Sequence, residues 1–184
     1  SLGNAIDIGL LVDEFGVDAT RYFFCREIAF GADGNFSYDG FLTRYNADLA
    51  NDLGNMTHRG LTMTRNWLGQ KVPARVATDA EHELDALATQ VLVDFDAHME
   101  GLQLHKALDR LWDLVRAGNK YIDTHQPWAL NKKGDLERAG TVLRSVLEIS
   151  YLAATLLQAV MPAKAAELLG RLGRTPEAAR ARCC

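Results

Sequence analysis

The sequence predicts an all-α fold: a bundle of four main helices plus a short C-terminal helix, preceded by a small linking segment. Three observations carry that expectation. Apolar residues recur at three- and four-residue spacing from Ser37 to Val160, the period of one helix face. No segment alternates apolar and polar residues for the length of a useful strand, and no internal repeat is present. Glycine and proline punctuate the apolar periods at helix-length intervals, which leaves short connections and therefore neighbouring, packed helices.

Taken in order, Asp7 is placed to cap a short helix through Phe15 that stops at Gly16. Asp18 is placed to cap a second helix carrying Tyr22, Phe23, Cys25 and Arg26. The stretch Phe30-Gly31-Ala32-Asp33-Gly34-Asn35 then reads as a loop. Residues 1–35 are thus a two-helix piece too small for a core of its own. From Ser37, Leu42, Leu49, Met56 and Met63 recur every seven residues, with Leu53, Gly60 and Trp67 as a second row. That predicts one helix of about eight turns, ending at Gly69 before Pro73.

Asp79 is the expected cap of the next helix, which carries Leu84, Leu87, Val91, Leu92 and Phe95 and is broken by Gly101. A third helix holds Leu104, Leu108, Leu111, Val115 and Ile122 and must end near Pro127. Gly134-Asp135 opens the longest apolar helix, with Leu143, Val146, Leu147, Leu156, Leu157 and Val160, and Met161-Pro162 ends it. A short helix from Ala163 to Gly170 covers one end, and a polar, Arg-rich tail follows.

With 184 residues, 48% hydrophobic and 24% charged, the chain has the size and composition of a globular domain with at most a small appendage. It has no uninterrupted apolar run of the length that spans a bilayer, and no secretory signal, so no membrane role is expected. The opening Ser1 in place of methionine reads as a fragment. Cys25 fits an apolar helical pattern, Cys183 and Cys184 sit together on the tail, and this usage suits a reducing compartment. The cysteines and five histidines form no zinc spacing, so no metal is expected. The net charge of −4 argues against indiscriminate polyanion binding but leaves room for a small local RNA site.

Catalytic signatures are missing: there is no phosphate-cradling glycine loop after a strand and no nucleophile–base motif. Asp13 and Glu14 read as a solvated helix end. One trio stands apart. Asn55 and Arg59, four residues apart, share a helix face. Trp128, after Pro127 in His125-Gln126-Pro127-Trp128, lies beyond an apolar pattern that has stopped, whereas Trp67 and Trp112 fit theirs. An aromatic plane, an amide and a guanidinium suit an unstacked RNA base, which is stacked and hydrogen-bonded along its edges. Taken alone, the pair also fits a surface contact and the tryptophan a bundle plug.

The chain resembles the C-terminal part of the methionyl-tRNA synthetase family. The resemblance runs from Ser1 to about Gly173. It rests on Ser1-Leu2-Gly3-Asn4, similar to the end of the family's Lys-Met-Ser-Lys-Ser loop, on Arg26-Glu27-Ile28 and Phe30-Gly31-Ala32-Asp33-Gly34, and on Asn46 through Asn55. It implies that residues 1–35 are a linking segment that contacts the tRNA stem, 36–173 an anticodon-binding bundle and 174–184 a tail. It implies that Asn55, Arg59, Pro127 and Trp128 read the CAU anticodon of tRNA(Met), the tryptophan stacking on the wobble cytosine. Arg44, Arg65, Lys120, Lys132 and Lys133 are candidates for phosphate contacts.

The resemblance implies that the whole enzyme is a cytoplasmic methionine–tRNA ligase that uses ATP and magnesium to activate methionine. The groups for that lie upstream of Ser1, so the fragment alone is expected to hold no cofactor and to be inactive, with the catalytic domain of the same enzyme as a further partner. Two other readings stay open: a scaffold or interaction module using an apolar face with Leu2, Ile6, Leu10 and Leu11, or a freestanding tRNA-binding paralogue.

Overall fold

A computed structural model describes residues 7–31, 34, 36–69, 71–72 and 74–174. Expectations for Ser1–Asn4, Leu2, Ile6, Ala32, Asp33, Asn35, Pro73, Cys183, Cys184 and the tail beyond Arg174 lie outside the described residues.

Asp7 caps the first helix, α1 (Ile8–Glu27), its carboxylate accepting from the Gly9 N–H at 2.9 Å. The expected stop at Gly16 is a kink inside this helix: φ is 82° and ψ 163°, a conformation in which a side chain would be strained. Asp18 does not cap the helix that follows it. It is buried, and its Oδ2 accepts the Lys164 backbone N–H at 2.7 Å. It thereby caps a helix 146 residues away in sequence.

The single helix expected from Ser37 to Gly69 is three elements. α2 (Tyr38–Arg44), capped by the Ser37 hydroxyl, runs into a π-helical segment (Tyr45–Gly54) and then into α3 (Asn55–Leu68). The wider π turn changes the phase of the face. Phe41, Asp48 and Leu53 are buried, while Leu42 and Leu49, the expected seam residues, are only half-buried. Gly54 is required by that wide turn, since a Cβ there would sit 2.8 Å from the Leu49 carbonyl oxygen. Met56 and Gly60 are buried as the spacing predicts, and Gly69 ends α3 in the left-handed conformation.

α4 (Asp79–Glu100) is capped at Thr78, one residue before the expected Asp79, because Glu81 reaches back to the Thr78 N–H at 2.7 Å. The chain turns after it at Leu102, with φ 54°, rather than at Gly101. α5 (Leu104–His125) ends before Pro127 as expected. A short helix that the pattern did not announce, α6 (Pro127–Lys132), follows a left-handed Gln126 with φ 45°. α7 (Leu136–Leu157) stops three residues short of Val160, and α8 (Pro162–Arg171) extends one residue beyond the expected Ala163–Gly170 at each end, Pro162 taking its first position.

Among the described residues there is no strand. The bundle closes around α7, which packs on α3, α5, α6 and α8, while α4 packs on α5. α7 alone among the described helices is long and apolar enough to cross a membrane, but most of it is buried by its neighbours, as a core helix is. Trp112, Leu108, Leu111 and Met56 fill the centre and are sealed from solvent. The N-terminal segment has no separate interior. Its Ala19 and Phe23 share an aromatic cluster with Phe41, and its Tyr22 enters the main core against Trp112, ring centroids 5.7 Å apart. Cys25 is a half-buried free thiol whose pKa is raised by that burial.

Candidate functional site

α3, α5 and α6 meet where the sequence placed its trio. Asn55 opens α3 and Arg59 follows one turn later, both on the side of α3 that flanks its buried face. The Arg59 guanidinium carbon lies 5.3 Å from the centroid of the Trp128 ring, within cation–π range. Its Nη2 also donates to Asp123 Oδ1 on α5, at 2.8 Å. Trp128 is 40% exposed, while Trp112 is fully buried and Trp67 partly so. Pro127 is buried at the first position of α6, where its missing N–H costs no helical bond. Asn55 is exposed, and no side-chain hydrogen bond to a described residue ties its amide down.

The fold brings Arg59 and Trp128 into contact across 69 residues of sequence, and Asn55 stands beside Arg59 on the same helix. The rim is therefore a guanidinium over an indole, a free amide, and the 62%-exposed carboxylate of Asp123. Such a set offers an aromatic plane, donors and an acceptor to a flat heterocycle. Asp123 carried no signal in the sequence, because its pairing with Arg59 exists only after α3 and α5 dock.

Behind the rim sits a buried ionic hub. Glu81 has no solvent exposure. Its carboxylate accepts from the Thr78 N–H and hydroxyl at 2.7 and 2.6 Å, from the Tyr121 hydroxyl, and from Arg138 Nη2 at 2.8 Å. Burial alone would raise its pKa, but the bonds from Arg138, Thr78 and Tyr121 outweigh that and hold it well below the usual carboxylate range. Burial first, and then hydrogen bonding and repulsion from Glu81, push the Tyr121 phenol up. His125 packs on Tyr121 with centroids 4.4 Å apart and lies 3.4 Å from Arg138, and burial followed by Arg138 depresses its pKa. The hub thus ties the start of α4, the end of α5 and the start of α7 together, one residue before the turn that delivers Pro127 and Trp128. Its sequence signal was Thr78-x-x-Glu81, a capping box.

A second buried cluster holds the π segment that leads into α3. Asp48 of the π segment accepts from the Tyr22 hydroxyl at 2.5 Å and Arg26 Nε at 3.3 Å, and Arg26 reaches Asp109 of α5 at 2.6 Å. Asn119 of α5 donates to the Asp52 carbonyl at 3.1 Å. Of the candidate phosphate contacts, Arg44 is engaged by Glu27 and Asp48. Lys120, Lys132, Lys133 and Arg65 are exposed. Among the described residues no group of His, Cys, Asp or Glu could hold a metal.

The family described as the anticodon binding domain of methionyl tRNA ligase matches residues 72–181, and that of the class I tRNA synthetases (M) matches residues 1–61. The methionine–tRNA ligase of Mycobacterium leprae is 40% identical over 178 residues, 95% of this chain and 33% of that protein. The Synechocystis enzyme is 41% identical over 177 residues, 95% of this chain and 33% of that protein. Mycobacterium tuberculosis methionyl-tRNA synthetase in complex with methionyl-adenylate superposes with a TM-score of 0.93 at 37% identity, covering 99% of this chain and 37% of that one. The chain spans about a third of the length of the curated relatives it matches.

Proposed function

This chain belongs to the methionyl-tRNA synthetase family, and from that premise we propose that its bundle reads the CAU anticodon loop of tRNA(Met). The observation that carries the reading is the Arg59 guanidinium held over a partly exposed Trp128, with the free Asn55 amide one turn away. An anticodon base stacks on the indole, while the amide and guanidinium bond to base edges. By analogy with groove readout each such polar recognition is worth about 1–3 kcal/mol, and a stacked base about as much. Discrimination of this size needs no broadly basic surface, which fits a net charge of −4.

Within the longer protein the same reading makes the bundle a selectivity device for attaching methionine to tRNA in the cytoplasm. Activation of methionine with ATP and magnesium, as in a methionine–tRNA ligase, is assigned on this reading to residues outside this chain, which spans about a third of its relatives' length. Leu10, 66% exposed near the start of α1, is the residue of the expected apolar face that remains open to a docking role with that part. Leu11, expected on the same face, is buried and contributes nothing to it.

The test is a titration of this chain with two RNA stem-loops that differ only in carrying CAU or a scrambled triplet, at fixed salt. Tighter binding of CAU is the expected result. Equal affinity for both would contradict anticodon reading by this chain.

A further inference from the structure

On the opposite flank of α3 from Arg59, a groove of about 850 Å³ runs between α3, α7 and the turn that follows α8. Its walls carry Arg65, Arg144, Arg171 and Arg174, with Glu148 as the one acidic residue among its described lining. Two of the arginines are already answered by carboxylates: Arg144 pairs with Glu148 at 2.8 Å and Arg171 with Glu167 at 2.6 Å. Glu148 is itself shared with Arg75 at 3.4 Å. Arg65 is exposed and has no ion-pair partner among the described residues, and Arg174 rests over the Tyr151 ring at 5.9 Å. Thr64, buried in the same wall, has a hydroxyl with no hydrogen-bond partner. In a chain of net charge −4 this is a concentrated excess of positive charge.

We propose that this groove carries the phosphodiester backbone of the RNA strand that leaves the Arg59–Trp128 rim. The inference rests on the anticodon-reading proposal and gives it a second, sequence-blind half. α3 is the shared wall. Arg59 looks toward α5 and α6, while His58, Leu61 and Arg65 line the groove, so the strand crosses the exposed back of one helix. Arg59 and Arg65 are about 9 Å apart along the helix axis, short against single-strand tracks of about 4–16 nucleotides. Arg65 and Arg174 are the cations that bind phosphate, Tyr151 fixes the second of them, and the Thr62 hydroxyl and the His58 ring supply further polar contacts. Division of labour follows: backbone contacts set register and the rim sets sequence.

The test measures affinity for the CAU and scrambled stem-loops against salt concentration, for wild type, for Arg65→Glu/Arg174→Glu, for the milder Arg65→Ala/Arg174→Ala, and for Arg65→Lys/Arg174→Lys. Loss of two phosphate contacts should weaken both RNAs by the same factor and flatten the slope of log affinity against log salt by about 1.5. The lysine pair should keep the slope, and the ratio of CAU to scrambled affinity should stay at its wild-type value in every variant. Unchanged affinity and slope in the alanine pair would overturn the proposal, as would a loss confined to the CAU loop. A wild type that binds both loops equally would sink anticodon reading, yet the slope change would still decide the groove.

Discussion

The recognition rim and the ionic hub behind it are both built from an arginine, an aromatic and a carboxylate, and they differ in almost everything else. In the rim, Arg59 lies over an exposed Trp128 and meets a carboxylate that is mostly in water. In the hub, Arg138 and Tyr121 converge on a Glu81 that has no solvent at all. The same chemistry in water is cheap to rearrange, and in the interior it is costly to disturb. A site that must open to accept a base belongs in the first setting. The element that aims it belongs in the second.

The sharpest way to break this contrast is to remove the hub's charge. Glu81→Ala leaves the partly exposed Arg138 and the buried Tyr121 hydroxyl without their acceptor, and the expected cost is about 3 kcal/mol of stability, read from urea unfolding; a loss below about 1 kcal/mol would deny the hub its role. Next in size, Trp128→Ala should cost about 1–3 kcal/mol of CAU affinity while the unfolding midpoint barely moves, since surface substitutions fall within about 0.5 kcal/mol. Arg59→Ala should erase CAU preference by a similar or smaller amount, again with little effect on unfolding.

Acid reaches the hub as well. Glu81 is held below the ordinary glutamate value of 4.5 and His125 below the ordinary histidine value of 6.5. Both therefore contribute stability that is complete above those values and is lost as pH falls through them. Unfolding free energy should begin to drop slightly below pH 6.5 through His125 and more steeply below 4.5 through Glu81, and Glu81→Gln should flatten the steeper part.

Much of the rim was legible in the sequence, and little of the hub. Asn55 and Arg59 announce a shared face by spacing, and Trp128 announces exposure by lying past the end of an apolar pattern. Those are local facts. Asp123 joins Arg59 from another helix, and Asp18 caps a helix near the far end of the chain, so neither has a local signature. The π segment was hidden for a different reason. A heptad spacing at Leu42, Leu49 and Met56 is what a regular helix would show, and only the burial of Asp48, answered by Tyr22 and Arg26, reveals that the turn is wider there. Four main helices and the short last one follow from periodicity and from Gly and Pro positions. Cap placement missed by one residue at Thr78 because Asp79 is also a good cap and the deciding contact is the reach of Glu81.

The separation of reading from folding is tested most directly by one paired measurement: the ratio of affinities for CAU and scrambled stem-loops in wild type and Trp128→Ala, with the unfolding midpoint of each recorded on the same samples. The account predicts a ratio well above one in wild type, a ratio near one in the variant, and matching midpoints. A variant that keeps the wild-type ratio, or that loses it only by unfolding, would contradict it.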